Sequence, residues 1–512
     1  MIEKIYDNKY GFSVEENNPF LIFPYLQKKV LEFFKSEEVI DLSRGDPGLG
    51  FTPSKKAREF YSFLITIDTI LNCMESNFRI HKKNEDDTEE VMKLIEYKAY
   101  KTYLKEEAKI NLETLNRVIK KIKDYALEEK KQLSDFQILK EIFKCSALVG
   151  GTYHAPQGEE IVRIVTAGKY RELLKDSSIK SENLIFTLGV NDAIGTTFKM
   201  LGEEGMKYLL NGDTIATSMP AYAPYFNEMN FRKLNIIDIE TNTETGETYL
   251  ETLKNCKEKI KVIFLISPNN PTGLTYNSED LKAIAEIAEK HDSLIVTDEI
   301  YSQLYENFDT IWKYAKKRTI RLCGRSKIER LPGIRFGDVL ISDEANKYLT
   351  EYLFKGILSA PDFKTRFIWS KAPGGNYASF QHTASVPGPS QILGMISILL
   401  GEEERRDYMK MIDKNMEEFF RTLKVPRNRK IYYGIFDLNK VEGCKKQNVH
   451  IDQKLYELCT KYGVILIPAM KFFSERVQKM SDKSNFVRVS LPNISLEKVK
   501  EAGEKIREYL CK

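Results

Sequence analysis

The sequence has few cysteines, and none of them stands in a pattern typical of a bound metal or of a disulfide framework. Its 512 residues include seven cysteines, which are odd in number, widely spaced and free of any Cys-x-x-Cys pair. This usage argues against both a disulfide scaffold and a zinc site. We therefore expect no metal cofactor and a reducing compartment, the cytoplasm.

Long apolar runs and an excess of one charge are missing as well. No uninterrupted apolar run reaches the roughly 18 residues that a membrane helix needs, and the first residues, MIEKIYDNKYGF, lack the apolar core of a secretion signal. The 78 Lys and Arg residues nearly balance 74 Asp and Glu residues, so the chain has no marked basic excess for nucleic acid. We expect neither nucleic acid nor a membrane as a partner.

The patterns that are present predict an α/β fold. A Gly/Pro-rich loop, DLSRGDPGLG (41–50), precedes amphipathic helical patterns that continue to about residue 147. From about residue 149, runs such as KVIFLISP and SLIVTDEIY alternate with helical segments, which is typical of a mostly parallel sheet sandwiched by helices. Ser278, with Asp280, is predicted to cap one of these helices.

The predicted organisation has four segments. Residues 1–54 form an N-terminal arm and substrate loop that pack with the small domain, and residues 55–148 form a helical insertion. Residues 149–402 form the large domain, and residues 403–512 form a smaller α+β domain. The sequence shows neither an internal repeat nor a low-complexity segment.

Polar residues follow the apolar runs, at the strand ends where a doubly wound sheet binds its ligands. Val190 and Asn191 follow NLIFTLG and open a helix, whose free N–H groups suit a phosphate. Tyr222 follows DTIATSMP, on a loop from which its ring can lie against a planar cofactor. Taken alone, each feature is weak evidence for a cofactor and is better explained by an ordinary turn.

Further residues complete a set that only one cofactor explains. Asn270 follows KVIFLIS, and Asp298 and Tyr301 follow SLIVT. The stretch GRSKIERLPGIRFGD (324–338) then brings Lys327 and Arg335. A lysine for an aldehyde, an acid for a ring nitrogen, donors for a phenolate, an aromatic platform and an anion site are what pyridoxal 5'-phosphate needs.

At this point the sequence resembles the class I/II aminotransferases of fold type I. The motifs that carry the resemblance are SPNNPTG (267–273), DEIY (298–301), SK followed by LPGIRFG (326–337), PAYAPY (220–225) and NFVRVSL (485–491). The resemblance implies that Lys327 bonds to the cofactor, that Asp298 pairs with its ring nitrogen and that Tyr222 stacks on the ring. It implies also that Asn270 and Tyr301 bind the phenolate oxygen.

The resemblance extends to the phosphate and to the quaternary structure. Val190 and Asn191 at the helix start and the Arg335 guanidinium are predicted to bind the phosphate group, and Ser326 in the SK motif is predicted to bind the cofactor. The resemblance also identifies Tyr153 with a tyrosine that reaches the phosphate of a neighbouring subunit, which implies a homodimer or a higher homo-oligomer. One position departs from the family, because Gly324 stands where a serine hydroxyl is usual.

Within the family the sequence is most similar to the bifunctional aspartate aminotransferase/aspartate 4-decarboxylase group. The shared features include Arg-Gly-x-Pro (44–47) and QHTASVPGPSQ (381–391), whereas the Pro-Thr-Gly turn at 271–273 is the ordinary aminotransferase form. The resemblance implies that Arg488 binds the α-carboxylate of an amino acid, and Arg44 beside Gly45 is the predicted second cation for a dicarboxylate such as aspartate. The partners are then amino acids and 2-oxo acids.

Two alternatives stay open from the sequence. One is an aminotransferase for a different amino acid in a specialised pathway. The other is a non-catalytic sensor that keeps the cofactor fold, although residues 1–54 lack the basic pattern of a DNA-recognition segment.

Overall fold

The structure is a computed structural model. It describes residues 19–47, 54–74, 88–146, 154–202, 206–353, 355, 362–369, 385–428, 430–479 and 485–512. The chain divides into two compact units, the first comprising 1–51, 210–314 and 407–512 and the second comprising 52–209 and 315–406. In the described part of the chain, the helices are too short or too polar to span a lipid bilayer.

Helices account for much of the described chain. They are α1 (Pro19–Val30), α2 (Lys55–Met74), α3 (Thr88–Thr102), α4 (Lys105–Glu128), α5 (Asp135–Ser146), α6 (Glu160–Leu174), α7 (Val190–Leu201), α8 (Ala223–Phe231), α9 (Glu251–Lys254), α10 (Ser278–Lys290), α11 (Trp312–Ala315), α12 (Asp343–Tyr348), α13 (Phe363–Trp369), α14 (Gly388–Leu400), α15 (Glu402–Leu423), α16 (Ile451–Tyr462), α17 (Glu475–Lys479) and α18 (Leu496–Cys511). Helices α2 to α5 lie in the segment predicted to be helical.

The strands are short and mostly buried. They are β1 (Ile40–Asp41), β2 (Leu184–Thr187), β3 (Thr214–Met219), β4 (Asn235–Thr241), β5 (Thr248–Tyr249), β6 (Ile260–Ile266), β7 (Leu294–Asp298), β8 (Thr319–Gly324), β9 (Gly337–Ile341), β10 (Tyr433–Asp437), β11 (Val464–Ile465), β12 (Ile467–Pro468) and β13 (Phe486–Ser490).

The first unit contains the parallel sheet that the apolar runs predicted. Its strands lie in the order β7-β6-β3-β4-β5, and the first four run parallel while β5 runs antiparallel to β4. Every residue of β3 and β7 is buried, as expected of strands covered on both faces. This arrangement aligns the carboxyl ends of β3, β6 and β7 along one edge, where the polar motifs begin.

Smaller pairings in the first unit join the two ends of the chain. Strand β1 pairs in parallel with β11, and β13 lies between β10 and β12 in an antiparallel sheet of three strands. The backbone of Leu42 continues the first pairing by donating to Ile465 O at 3.0 Å, and its carbonyl accepts from Ser490 N at 2.8 Å. Residues 40–43 are therefore held beside β13.

The second unit differs from the parallel arrangement expected of all the apolar runs. Strands β2 and β8 both pair antiparallel with β9. Strand β9 lies within GIRFGDVLIS, which the sequence analysis did not identify as a strand. Helix α14, which is apolar through most of its length, packs against α2, α5 and α6. The core of this unit is therefore formed largely by helices, which accompany three short antiparallel strands.

One predicted helix cap is wrong by a single residue. Asn277, rather than Ser278, is the N-cap of α10, and its side-chain oxygen accepts hydrogen bonds from the backbone N–H groups of Glu279 (2.9 Å) and Asp280 (2.8 Å). Asparagine caps at least as well as serine. Ser278 occupies the first helical position and donates its hydroxyl to Asp309 instead, at 2.7 Å.

Candidate active site

Asp298 ends strand β7 and is buried, with 3% of its surface exposed. Its Oδ2 accepts a hydrogen bond from the Tyr225 hydroxyl, and its Oδ1 accepts one from Ile300 N at 3.1 Å. Burial, together with the Asp298 charge, raises the pKa of Tyr225 well above its usual range. The phenol therefore keeps its proton and donates a hydrogen bond to the carboxylate. The sequence analysis predicted Asp298 and missed Tyr225, although both lie in the quoted motifs.

Tyr222 lies directly before α8, at its N-cap position. Its ring is half-buried and makes an edge contact with the Tyr225 ring, with the centroids 5.5 Å apart and the planes at 78°. Because Pro224 lies in the first turn of α8, where a missing N–H has no cost, the helix begins directly after Tyr222. The structure thus brings Tyr222 and Asp298 to one neighbourhood through Tyr225.

The asparagine turn after β6 is fixed by its first asparagine. Asn269 Oδ1 accepts from Thr272 N at 3.2 Å and Thr272 Oγ1 at 3.0 Å, and Asn269 Nδ2 donates to Pro220 O at 2.9 Å. Asn270 is then held buried, with 5% exposed, and its Oδ1 accepts from Arg488 Nη1 at 3.3 Å. Of the two asparagines, the sequence analysis singled out only Asn270.

A cluster of buried tyrosines surrounds Tyr301. Its hydroxyl donates to Tyr433 Oη at 3.2 Å. The hydroxyls of Tyr432 and Tyr433 in turn donate to Gly45 O, at 3.1 Å and 3.3 Å. Burial raises the pKa of Tyr301 well above its ordinary value, with smaller contributions from its tyrosine neighbours. A Cβ on Gly45 would lie 2.5 Å from Tyr433 Oη, so the absence of a side chain there permits this close approach.

Arg488 on β13 is a buried cation with a restricted guanidinium. Only 4% of the residue is exposed, and its Nη2 donates to Ser43 O at 2.5 Å. The guanidinium carbon lies 4.7 Å from the ring centroid of Tyr433 and 5.3 Å from that of Phe472. Its Nε makes no hydrogen bond to any residue that the structure describes. A planar cation held in this way suits a carboxylate, which would offer its missing acceptor.

Arg44 does not share these partners. Its side chain is about half exposed, at 48%, and its Nε donates to Asp46 Oδ2 at 3.0 Å. It lines a surface cleft with residues that include Gln27, Ile40 and Lys498. The assignment of Arg44 to a second carboxylate therefore stays a prediction. The adjacent Ser43 accepts from Arg488 through its backbone carbonyl, and Gly45 accepts from Tyr432 and Tyr433 through its own.

In the second unit, Lys327 lies in a tight loop after β8. Arg325 N donates to Phe336 O at 2.9 Å, Arg330 N donates to Lys327 O at 3.2 Å, and Leu331 N donates to Arg325 O at 3.2 Å. Lys327 is half-buried and the preceding Ser326 is buried, with 7% exposed. The loop backbone is thus closed by its own hydrogen bonds on both sides of the lysine.

Arg335 lies against the start of α7, which Val190 and Asn191 open. The N-cap Gly189 has φ +79°, and a Cβ there would lie 2.5 Å from Arg335 Nη2. Arg335 donates to Pro332 O at 2.9 Å and to Leu188 O at 3.3 Å. A guanidinium beside the free N–H groups of a helix start is a donor set that fits a phosphate.

Close packing explains why a glycine, and not a serine, occupies position 324. A Cβ at this position would lie 3.1 Å from Phe336 O and 3.2 Å from Val190 Cγ2. Both distances are tighter than ordinary van der Waals contact, so a serine would require its neighbours to shift. The hydroxyl that the family usually supplies here is replaced by close packing between β8 and the start of α7.

Two predicted features lie outside the described residues: Tyr153 and the first part of the QHTASVPGPSQ motif, residues 381–384. His154, which follows Tyr153, is described. Its Nδ1 lies 2.9 Å from Glu159 Oε1, close to the start of α6.

Near it, the structure brings together a thiol, an imidazole and a carboxylate that the sequence analysis did not connect. Cys145, His154 and Glu159 present ligand-type atoms within 4.8 Å of one another. However, the Glu159 carboxylate already accepts from Lys144 Nζ at 3.0 and 3.1 Å and from Ala155 N at 3.2 Å. The hydrogen bond from His154, followed by these contacts with Lys144 and Ala155, lowers the pKa of Glu159 to about 2 despite its burial. Because the Lys144 ammonium already pairs with this carboxylate, the group is better explained as a support for the start of α6.

Comparison with known proteins points in one direction. The family model described as aminotransferase class I and II matches residues 102–506. A probable aspartate aminotransferase from Methanocaldococcus jannaschii is 32% identical over 183 residues, 34% of this chain and 46% of that protein. A bifunctional aspartate aminotransferase and L-aspartate beta-decarboxylase from Pseudomonas sp is 23% identical over 346 residues, 60% of this chain and 64% of that protein. The chain thus spans less than two thirds of the length of these relatives.

A solved structure extends the similarity along the chain. The aspartate aminotransferase from Thermotoga maritima superposes with a TM-score of 0.60 at 17% identity, covering 98% of this chain and all of that one. This confirms the predicted α/β fold of type I. The matched family depends on pyridoxal phosphate, which confirms the predicted cofactor. The residue-level assignments and the domain boundaries stay predictions.

Proposed function

Because the chain belongs to the class I and II aminotransferase family, we propose that it is a pyridoxal-phosphate-dependent aminotransferase whose amino-acid substrate is aspartate. The named relatives from Methanocaldococcus jannaschii and Pseudomonas sp support this substrate. A finer proposal adds aspartate 4-decarboxylation, which gives alanine and carbon dioxide, and its support is the Pseudomonas relative.

The observation that carries the proposal is the environment of Arg488. A buried guanidinium is held between two aromatic rings, bonded to Asn270 and Ser43, with its Nε left for an acceptor. Burying an unpaired cation is costly unless a partner of opposite charge joins it. The α-carboxylate of an amino acid is such a partner.

The described donor sets fit the cofactor. When bound, pyridoxal phosphate supplies an aldehyde for a lysine amine and a ring that accepts electrons released at the substrate α-carbon. Asp298 provides a buried carboxylate for the ring nitrogen, and Tyr301 and Asn270 provide polar groups for the phenolate oxygen. Arg335 and the start of α7 provide the anion site.

The remaining steps belong to the side chains of this protein. Lys327 Nζ takes the proton from the α-carbon of the substrate and holds it as an ammonium, acting as the general base. The Asp298 carboxylate is held in one orientation by the hydrogen bond from Tyr225. Arg488 binds the α-carboxylate of the substrate and so restricts its orientation. For a dicarboxylate, Arg44 is the proposed second cation.

We also propose a cytoplasmic homodimer in which Tyr153 reaches the phosphate of the neighbouring subunit. The support is the family resemblance of the residues before Gly158. The runner-up is an aminotransferase for another amino acid, which a panel of amino-acid substrates distinguishes.

The proposal is tested by incubating purified protein, loaded with pyridoxal phosphate, with aspartate and 2-oxoglutarate. Oxaloacetate, glutamate, alanine and carbon dioxide are measured separately. Transamination gives oxaloacetate and glutamate, whereas decarboxylation adds alanine and carbon dioxide in equal amounts. The Lys327→Ala variant is the control, and it is expected to lose both turnover and the visible absorbance of the lysine-bound cofactor. Turnover of other amino acids with inertness toward aspartate would favour the runner-up, and absence of any bound cofactor would contradict the whole proposal.

A further inference from the structure

A fully buried ion pair lies two residues before Lys327. Arg325 and Asp338 are each 0% exposed, and Arg325 Nη2 lies 3.1 Å from Asp338 Oδ2. Tyr170 joins them, because its hydroxyl donates to Asp338 Oδ1 at 2.8 Å and to Oδ2 at 2.9 Å. Burial raises the pKa of Tyr170 well above its usual range, so the phenol stays a donor. This pair ties the lysine loop to α6 and β9.

A second buried ion pair of opposite polarity lies two residues after Lys327. Both carboxylate oxygens of Glu329 accept from Arg405 Nη1 at 2.9 Å. Arg405 also donates to Ser397 O at 2.9 Å and to Ile398 O at 3.3 Å. Glu329 is 4% exposed and Arg405 is 6% exposed. This pair ties the same loop to α14 and to the start of α15.

Burial alone would favour apolar side chains at these positions, not two ion pairs. An arginine and a glutamate in a loop are ordinarily solvated, and taking each from water costs several kcal/mol. Arg325 retains Nε and Nη1 without a hydrogen-bond partner among the described residues, and the Arg321 guanidinium adds a second buried positive charge 4.5 Å from the Tyr170 ring. Apolar residues of similar volume would avoid these costs. Charged pairs in this position specify a register, since a one-residue slip would break both.

We propose that two ion pairs, Arg325 with Asp338 and Glu329 with Arg405, act as positioning pairs for Lys327. They hold the loop on both sides of the lysine, so that its amine stays in one place while it takes up and releases a proton. Arg325 and Glu329 act through the loop backbone, to which the hydrogen bonds Arg330 N to Lys327 O and Leu331 N to Arg325 O belong. The inference rests on the proposed function for the role of Lys327, and on the structure alone for the rigidity of the loop.

The first test measures hydrogen–deuterium exchange in the cofactor-free full chain, which requires no activity. Arg325→Met and Glu329→Gln each remove one side of a positioning pair. We expect peptides covering residues 325–337 to exchange at least about tenfold faster than in the wild type. Arg171→Met is the matched control, because it removes another buried ion pair of α6, between Arg171 and Glu129 at 2.9 Å. It should accelerate exchange around residues 125–131 and leave 325–337 unchanged.

The second test uses the holoenzyme. The pH midpoint of the visible absorbance of the lysine-bound cofactor should shift by about half a pH unit or more in Arg325→Met and Glu329→Gln, since a mobile amine has lost its fixed electrostatic surroundings. Arg325→Lys keeps the charge without the planar fork, and we expect a smaller shift. Asp338→Asn serves as a second variant where Arg325→Met does not fold. The inference is overturned if the variants lose thermal stability as the Arg171→Met control does while loop exchange and the midpoint stay at wild-type values. If the wild type binds no cofactor, the proposed function fails, and the exchange experiment still decides whether the two ion pairs make the loop rigid.

Discussion

The Tyr225 hydroxyl donates a hydrogen bond to the Asp298 carboxylate, and both side chains are 3% exposed. A buried carboxylate in the first unit is thus stabilised by a neighbour on α8, 73 positions earlier in the chain. Because a hydrogen bond to a charged group contributes about 1.5–3 kcal/mol, this contact has consequences that kinetics can measure.

The Tyr225→Phe variant removes only that hydrogen bond. We expect kcat to fall about ten- to a hundredfold, because the buried Asp298 carboxylate loses the hydrogen bond that orients it. The measurement is kcat with the absorbance spectrum of the bound cofactor. Tyr276→Phe is the control, since it removes another buried hydroxyl of the first unit, bonded to Ser218 at 2.7 Å. Equal kcat values for the two variants would contradict the role given to Tyr225.

The Arg488→Lys variant tests substrate recognition. A lysine ammonium does not reproduce the planar fork or the stacking on Tyr433 and Phe472. We expect the KM for the amino acid to rise about a hundredfold, with cofactor affinity unchanged. The control is Arg476→Lys, because Arg476 binds Asp238 at 2.7 Å and belongs to no predicted site. A KM that stays at the wild-type value would remove Arg488 from the substrate site.

The Pro-Thr-Gly turn has a packing requirement at Gly273. Its φ is +70°, and a Cβ there would lie 2.2 Å from Tyr433 O and 2.7 Å from Ile431 O. We expect Gly273→Ala to lower the free energy of unfolding by about 3 kcal/mol or more. Gly212→Ala is the matched control, with φ +85° and nothing within 4 Å of a Cβ, and should cost only about 1 kcal/mol. Urea unfolding followed by circular dichroism compares them, and equal losses would mean that backbone strain alone decides.

The burial of Lys430 should make the free energy of unfolding depend on pH. It is 2% exposed, and burial lowers its pKa from 10.5 to about 8. The charged form is therefore disfavoured in the folded state, and the cost is fully present below pH 8 and disappears as the pH rises through 8 to 10.5. We expect Lys430→Met to be more stable by up to about 3 kcal/mol at pH 7. The advantage should shrink toward pH 10.5, and an advantage that is independent of pH would refute this explanation.

The strand-end residues were predictable because their signals are local. Asp298, Tyr301 and Asn270 directly follow apolar runs, and the sheet of the first unit aligns those runs by its parallel topology. The start of α7 at Val190 was visible for the same reason. No packing information is needed to place a residue just after a buried strand.

The partners of these residues were not predictable, because they depend on contacts far apart in the chain. Tyr433 lies 132 positions from Tyr301, and Arg405 lies 76 positions from Glu329. Arg325 and Glu329 carry charges that composition assigns to solvent, and only the ion pairs explain their burial. The antiparallel β9 was missed because its run is short and begins directly after the lysine loop.

The backbone pairing of residues 40–43 with the far end of the chain has a consequence for biosynthesis. Ser43 and Arg488 are 445 positions apart, so Ser43 leaves the ribosome long before Arg488. A nascent chain that ends before residue 486 already carries Lys327 and Asp298 but lacks Arg488, the proposed partner of a carboxylate. The residue proposed to bind the amino acid is therefore synthesised after the residues proposed to bind the cofactor.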